Sequence, residues 1–234
     1  MSLPHFITEA PLTGQLAGAE GRHAVTVKRI APGEEIMLID GRGTWARVRV
    51  TDTSGKELLK GEVLEQGVDE APTPRVTVVQ AIPKSERAEL AVDLATQTGA
   101  DAIIPWISHR TIARWTGPKV AKNVEKWQAT AREAAKQSRR TFIPEVHDPV
   151  TSNQLKDIIA GKQALVLHED AESSIRDIAL ANEIYLIVGP EGGIGTDELE
   201  LLGATPVKLG PEVLRTATAA AVGLAAIGVL SSRW

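Results

Sequence analysis

The sequence predicts an α/β protein in two parts. A small β-rich, barrel-like unit covers residues 1–70, and a parallel sheet with helices on both faces covers 75–234. Three observations carry this. The first seventy residues read mostly as short alternating strands around glycine turns. From Arg75 onward, apolar runs of strand length alternate with segments of helical period, the pattern of a parallel sheet covered on both sides. Between the two lies "VDEAPTPR" at 68–75, a linker with two prolines and two acids.

Each element has its own signal. His23 to Ile30 is a short amphipathic segment ahead of Pro32-Gly33. Glu35 to Asp40 and Trp45 to Thr51 flank "DGRG", which predicts a hairpin, and Leu58 to Leu64 follows a Ser54-Gly55 turn. "RVTVVQAI" from Arg75 reads as a buried strand. Ser85 is the expected cap of a helix with Ala88, Leu90, Ala91, Leu94 and Ala95 inward, stopped by Gly99. "DAIIPWI" is the next strand, and Pro118 starts a long helix with Val120, Val124, Trp127, Ala131 and Ala134 on one face. "IPEV", a helix from about Ser152, "QALVLHE" and a helix near Ile175 continue the alternation.

The run Ile184 to Val188 then breaks at Gly189-Pro190 into a loop holding Gly192, Gly193 and Gly195. Thr196 is the expected cap of the following helix, with Asp197 and Glu198 at its positive end. A strand at Val207 to Leu209 ends at Gly210-Pro211, and Thr216 opens the last helix. That helix, "ATAAAVGLAAIGVL" at 217–230, has no charged face, so it needs cover on every side. Gly223 and Gly228 are expected to admit a second helix closely, which predicts a homodimer.

Composition narrows the class. The chain has 234 residues and no cysteine, so no disulfide or thiolate metal site is expected, as suits a reducing compartment. "MSLPHFITEA" lacks the charged start and apolar run of a signal peptide, and 217–230 is too short to span a bilayer. The expectation is a cytoplasmic protein without a membrane partner. Charge is uneven: nine basic residues between Ser108 and Arg140 face only Glu125 and Glu133, so that segment carries +7 and the remainder −11 of a total of −4. With His109 and Trp115 interleaved, the segment fits a nucleic-acid backbone, Trp115 being placed to stack on a base. A solvated helix face is the plainer alternative.

Two glycine-bearing loops should meet at the carboxyl edge of the sheet, where open α/β sheets bind ligands. The first is not a phosphate loop, because Ile194 follows Gly193 where a lysine is needed. Nor is it a dinucleotide fingerprint: Glu198 stands at the third glycine, and Glu191 would repel a pyrophosphate. A neutral or cationic ligand lying on bare backbone fits better, and an ordinary tight turn is the plainer alternative.

The strings themselves are more specific. "VGPEGG" at 188–193, "LG" at 209–210 and "LRTATAA" at 214–220 resemble the signatures of the SPOUT methyltransferases, most closely the RsmE family. "EAAKQSRR" at 133–140, "PKSER" at 83–87, "SHR" at 108–110 and His23 with Arg29 extend the resemblance over nearly the whole chain. Lys136 and Arg139 depart from it, the latter standing where glycine is frequent, as do Gln97 and His5.

The resemblance implies a C-terminal sheet threaded as a trefoil knot, although knots are otherwise essentially absent from folds, and an N-terminal PUA-like RNA-binding domain. It implies methyl transfer from S-adenosyl-L-methionine to N3 of a uridine in 16S rRNA, on naked RNA or the small ribosomal subunit. It assigns the cofactor to Leu167, His168 and Glu169, to Val188, Gly189, Pro190, Glu191, Gly192, Gly193 and Ile194, to Leu209 and Gly210, and to Leu214, Arg215, Thr216, Ala217, Thr218 and Ala219. RNA contacts are expected from Arg29, His109, Arg110, Arg114, Lys136, Gln137, Ser138, Arg139 and Arg140. Uridine N3 must lose a proton, so a cation, a base or both are needed. Arg215 is the expected cation, and Glu133, with Glu191, a candidate base. Two other classes stay open at this level: an RNA-binding protein without catalysis, and an α/β enzyme using another nucleotide.

Overall fold

The computed structural model describes residues 3–113 and 115–234, the side chains of Ser85 and Glu86 excepted. The chain divides into two compact units. The first comprises Met1–Ala71 with Ala135–Ile143, and the second Pro72–Ala134 with Pro144–Trp234.

In the first unit, β1 (His5–Ile7), β2 (Gln15–Leu16), β3 (Glu35–Ile39), β4 (Thr44–Ser54) and β5 (Leu58–Val68) form one mixed sheet in the order β1-β3-β4-β5-β2. The "DGRG" hairpin joins β3 to β4 as its composition predicts, and Asp40 Oδ1 closes the turn on the Arg42 and Thr44 amides. Phe6, Leu16, Ile36, Leu38, Val48 and Leu59 fill the core. The amphipathic stretch opens with a π turn over His23–Val27, which continues a short helix, α1 (Gly18–Arg22), that precedes it. It ends at Arg29 with φ 57°, left-handed backbone that favours glycine.

Ala135–Ile143, which chain position assigns to the second part, belongs to the first unit. Gly43 N donates to Thr141 O and Ile143 N to Gly41 O. A Cβ on Gly43 would lie 2.6 Å from the Phe142 ring, and one on Gly41 would lie 2.6 Å from Ile143 Cδ1. The two turn glycines are a socket for these side chains.

The second unit is a seven-stranded, all-parallel sheet. Its strands are β6 (Arg75–Ala81), β7 (Ala102–Ile107), β8 (Glu145–Val146), β9 (Val150–Thr151), β10 (Gln163–Leu167), β11 (Glu183–Val188) and β12 (Thr205–Val207). The order is β12-β10-β11-β6-β7-β8, with β9 also paired to β7. Neighbouring residues point to opposite faces. Val78, Ile103 and Leu186 join one core beneath α2 (Ser85–Gln97), α3 (Lys119–Gln137) and α6 (Thr216–Leu230). Val79, Ile104 and Ile187 join the other beneath α4 (Ser152–Ile159) and α5 (Thr196–Leu202). Helices therefore cover both faces, as predicted.

Several local expectations are corrected. The segment near Ile175 is a single 3-10 turn, Ile175–Asp177, held by Ile175 N to Lys208 O and Lys208 N to Ser173 O across to the chain leaving β12. Lys84 rather than Ser85 caps α2, and Gly195 rather than Thr196 caps α5, because the cap must be extended and Gly195 is (φ −74°, ψ 156°). α4 keeps a full capping box between Thr151 and Gln154. Neither glycine of α6 faces outward. A Cβ on Gly223 would lie 2.9 Å from Leu186 Cδ2, and one on Gly228 would lie 2.7 Å from the Trp234 ring. Gly223 lets α6 settle on its own sheet, and Gly228 seats the tail. The faces of α6 left open carry Val222, Val229 and Leu230. Arg233 fixes the tail through a buried fork to Asp101, at 2.7 and 2.9 Å, with further bonds to Pro74 O and Gly99 O.

Candidate functional site

Parallel strands send their carboxyl ends to one edge, and three of them end at loops without regular structure. β10 ends at Leu167, β11 at Val188 and β12 at Val207. The loops that follow enclose a cleft of about 690 Å³. Its walls are Leu167, His168, Glu169 and Asp170, then Val188 through Thr196 with Leu199, then Val207 through Gly210, and Glu212 through Thr216 with Ala219. Arg87 and Arg110 complete the lining.

Of the residues assigned to a cofactor from the sequence, all but Ala217 and Thr218 line this cleft. Ala217 is buried on the first turn of α6, and the Thr218 hydroxyl donates to Arg215 O at 3.0 Å, closing its own helix start. Arg215 caps α6 and is exposed at the cleft. Glu133 lies on the exposed side of α3 and does not line it. Glu191 does line it, and its Oε1 accepts the Lys84 amide at 3.2 Å. Sequence reasoning quoted Arg87 as the last letter of "PKSER" without assigning it to the cofactor, and it missed Asp170, Lys208, Glu212 and Val213, each near a motif but outside its quoted letters.

The glycine loop is bare for steric reasons. A Cβ on Gly189 would lie 2.7 Å from Ile194 Cγ1, and one on Gly195 would lie 2.5 Å from Asp197 Oδ1. Gly193 adopts φ 70°. A Cβ on Gly192 would meet Arg110 Cβ at 3.5 Å, an ordinary contact. The floor is apolar, with Leu167, Val188, Ile194, Val207 and Ala219. The rim mixes signs, with Glu169, Asp170, Glu191 and Glu212 among Arg87, Arg110, Lys208 and Arg215. Such a cleft suits a flat, mostly uncharged body with a zwitterionic end, and it offers no uniform positive field for a polyphosphate.

The residues expected at RNA separate into groups. Arg110 donates from Nη1 to Gly192 O at 3.0 Å and so sits on the glycine loop. The His109 imidazole faces Asp197, with Nδ1 3.3 Å from Oδ2. Arg114 lies outside the described residues. Trp115, expected to stack on a base, packs edge-on against buried Trp127, ring centroids 4.9 Å apart. In the first unit, Arg29, Gln137 and Arg139 are exposed, and Ser138 and Arg140 half-buried.

Lys136 corrects the expectation of a free surface cation. Its side chain is 3% exposed, its Nζ donates to Glu20 Oε1 at 2.9 Å, and it lies 3.3 Å from His23 Nδ1. Glu20 Oε2 in turn accepts the Ile7 amide. The charge that sequence reasoning adds to the surface is spent on packing the end of α3. Arg139, like Arg29, is left-handed (φ 59°), and the bonds Arg139 N to Lys136 O and Arg140 N to Ala135 O close α3 as a Schellman turn.

Comparison with known proteins agrees with this geometry. Residues 69–228 match the model of an RNA methyltransferase domain, and residues 16–64 that of an RNA methyltransferase PUA domain. The chain is 48% identical to the ribosomal RNA small subunit methyltransferase E of Mycobacterium bovis, over 98% of this chain and 92% of that protein. It is 30% identical to the protein of the same name from Bacillus subtilis, over 94% and 91%. Among solved structures, the ribosomal RNA small subunit methyltransferase E of Neisseria gonorrhoeae bound to S-adenosyl methionine superposes with a TM-score of 0.87 at 27% identity, covering 98% of each chain. With its parallel sheet, its cleft at the carboxyl edge and its PUA-matching first unit, the chain belongs to the RsmE family of RNA methyltransferases.

Proposed function

We propose that the protein transfers the methyl group of S-adenosyl-L-methionine to N3 of a uridine in 16S rRNA, within the small subunit or its RNA. The observation that carries this is the coincidence of one cleft with the three loops bearing the family motifs. The residues present fit the cofactor: bare backbone at Gly189 to Gly195 for close approach, an apolar floor for adenine, and rim carboxylates for ammonium and ribose hydroxyls. When bound, it supplies an electrophilic methyl on a sulfonium, open to in-line displacement.

The protein's own part is alignment and charge. Arg215, fixed as the cap of α6 and exposed at the cleft, is the cation that holds the uracil imide oxygens and favours loss of the N3 proton. Glu191 lies in the same cleft and is a better placed proton acceptor than Glu133, which does not line it. Arg29 and Arg139 are the proposed phosphate contacts of the first unit; the RNA-binding domain proposed at residues 1–70 takes in 135–143 as well, and the rest of 75–234 is the proposed catalytic domain. The backbone bonds of Ser173 and Ile175 to Lys208, where the chain leaving β12 meets the loop after β10, support the threading of a trefoil knot.

A homodimer is part of the same proposal. Val222, Val229 and Leu230 on α6, with Trp234 and with Leu90 on α2, which is exposed rather than inward as its spacing predicts, leave apolar surface of the kind that seeks cover. An rRNA substrate places the enzyme in the cytoplasm. Among the described residues no helix is long and apolar enough to cross a membrane, and no cluster of side chains is arranged to hold a metal.

Calorimetry with S-adenosyl-L-methionine, ATP and NAD, followed by mass mapping of methylated small-subunit rRNA, tests the reading. Binding of the first alone and a new N3-methyluridine are expected. Binding of NAD or ATP in its place would overturn it.

A further inference from the structure

We infer that Glu198 is a positioning residue that sets Arg110 across the glycine loop; the inference rests on the proposed cofactor site. Glu198 lies on the first turn of α5 and is fully buried. Its Oε1 accepts the His109 backbone N–H at 2.9 Å and also the Ser152 hydroxyl. Trp106 Nε1 donates to the same Ser152 oxygen at 3.2 Å. Oε2 has no hydrogen-bond partner among the described residues. Burying a carboxylate with one oxygen unpaired is expensive, and an apolar side chain would fill the same space at lower cost.

What the carboxylate does there is tie three elements together: the end of β7, the start of α4 and the helix that follows the glycine loop. The bond to His109 is made by main chain, so it fixes the path of the chain one residue before Arg110; the imidazole Nε2 lies farther off, 3.9 Å from the same Oε1. Thr111 closes the other side of the turn, its hydroxyl oxygen accepting the Ser108 amide at 3.1 Å. From this pinned turn Arg110 reaches Gly192 O and lines the cleft. A displacement of about 1 Å in such a group is enough to cost on the order of 100-fold in rate.

Four single variants and one double variant of the full chain test this by turnover on small-subunit RNA, affinity for S-adenosyl-L-methionine and thermal melting. Glu198→Ala is expected to lose roughly 10- to 100-fold in kcat. Glu198→Gln is expected to recover most of it, because only Oε1 is used and an amide oxygen accepts both bonds. Ser152→Ala also disturbs this buried cluster and lowers the melting point, but it leaves the His109 bond and is expected to retain most turnover. Arg110→Ala is expected to match Glu198→Ala in rate, and the double variant to be no slower than either, since the two act through one contact.

Equal loss in the Gln and Ala variants, a Ser152→Ala loss as deep as Glu198→Ala, or multiplicative losses at 110 and 198 would each overturn the inference. If Glu198→Ala does not fold, the Gln and Ser152 variants still decide it. A wild-type protein that neither binds S-adenosyl-L-methionine nor transfers methyl would sink the functional reading instead.

Discussion

Replacing Arg139 with glycine should make the protein more stable and a weaker RNA binder at once. Arg139 holds φ 59° at the end of α3, and left-handed backbone costs an L-residue about 1–2 kcal/mol. Glycine removes that cost but loses more freedom on folding, about 0.5–1 kcal/mol. The net gain is about 1 kcal/mol, a rise of about 2–4 °C in melting temperature for a chain of this size. The exposed guanidinium is lost in exchange. If it meets one phosphate, the slope of log affinity against log salt should shrink by about 0.7–0.9. Thermal melting and fluorescence anisotropy with a small-subunit rRNA fragment over a salt series measure the two effects. Arg139→Lys, which keeps both charge and strain, should leave both unchanged. A glycine variant that melts lower would refute the strain argument, and one with an unchanged salt slope would remove Arg139 from the RNA surface.

Other outcomes follow from the same geometry. Gly189→Ala drives a methyl to 2.7 Å from buried Ile194, so the loop must shift; calorimetry should show affinity for S-adenosyl-L-methionine falling at least tenfold while circular dichroism keeps its native shape. Lys136→Ala breaks a buried ion pair and should cost about 3 kcal/mol in urea unfolding, with the RNA salt slope of the folded variant unaltered. His5 has its pKa lowered from 6.5, first by burial and then by Arg139, against a bond to Leu3 O that raises it. Its neutral form is therefore the one the fold prefers: the unfolded chain binds the proton more readily, and stability rises with pH in the window just below 6.5. The His5 contribution is complete above 6.5 and is lost as pH falls, so unfolding at pH 5 and 7.5 should differ less in His5→Gln than in wild type.

Much of this was legible in the sequence because it depends on local pattern. Alternation locates the strands, and the motifs of β10, β11 and β12 fall at carboxyl ends because parallel strands must send those ends to one edge. What was not legible depends on partners distant in sequence. Lys136 reads as one more cation of a basic helix, and only the fold brings Glu20 to it. Trp115 reads as a free aromatic of the basic segment, and only the fold shows it packed edge-to-face with Trp127. Gly223 and Gly228 read as an outward seam, yet Leu186 and Trp234 already fill them. Glu198 reads as a favourable charge in a first turn, whereas its role comes from His109 and Ser152, far from it in the chain. The absent helix near Ile175 is the same lesson in backbone form, since bonds to Lys208 replace those of a helix.

The segment Ala135–Ile143 gives the N-terminal unit a discontinuous pedigree. Phe142 and Ile143 plug the turn made by Gly41 and Gly43, and Lys136 neutralises Glu20, yet all three are translated long after the strands they complete. The module is therefore not a cassette that can be cut at the proline-rich linker and moved elsewhere. A fragment stopping at Ala71 would carry an open socket and an unanswered carboxylate. Grafting onto another enzyme would require the last turn of α3 to travel with it. A nascent chain would wait for more than sixty further residues before that seam could close.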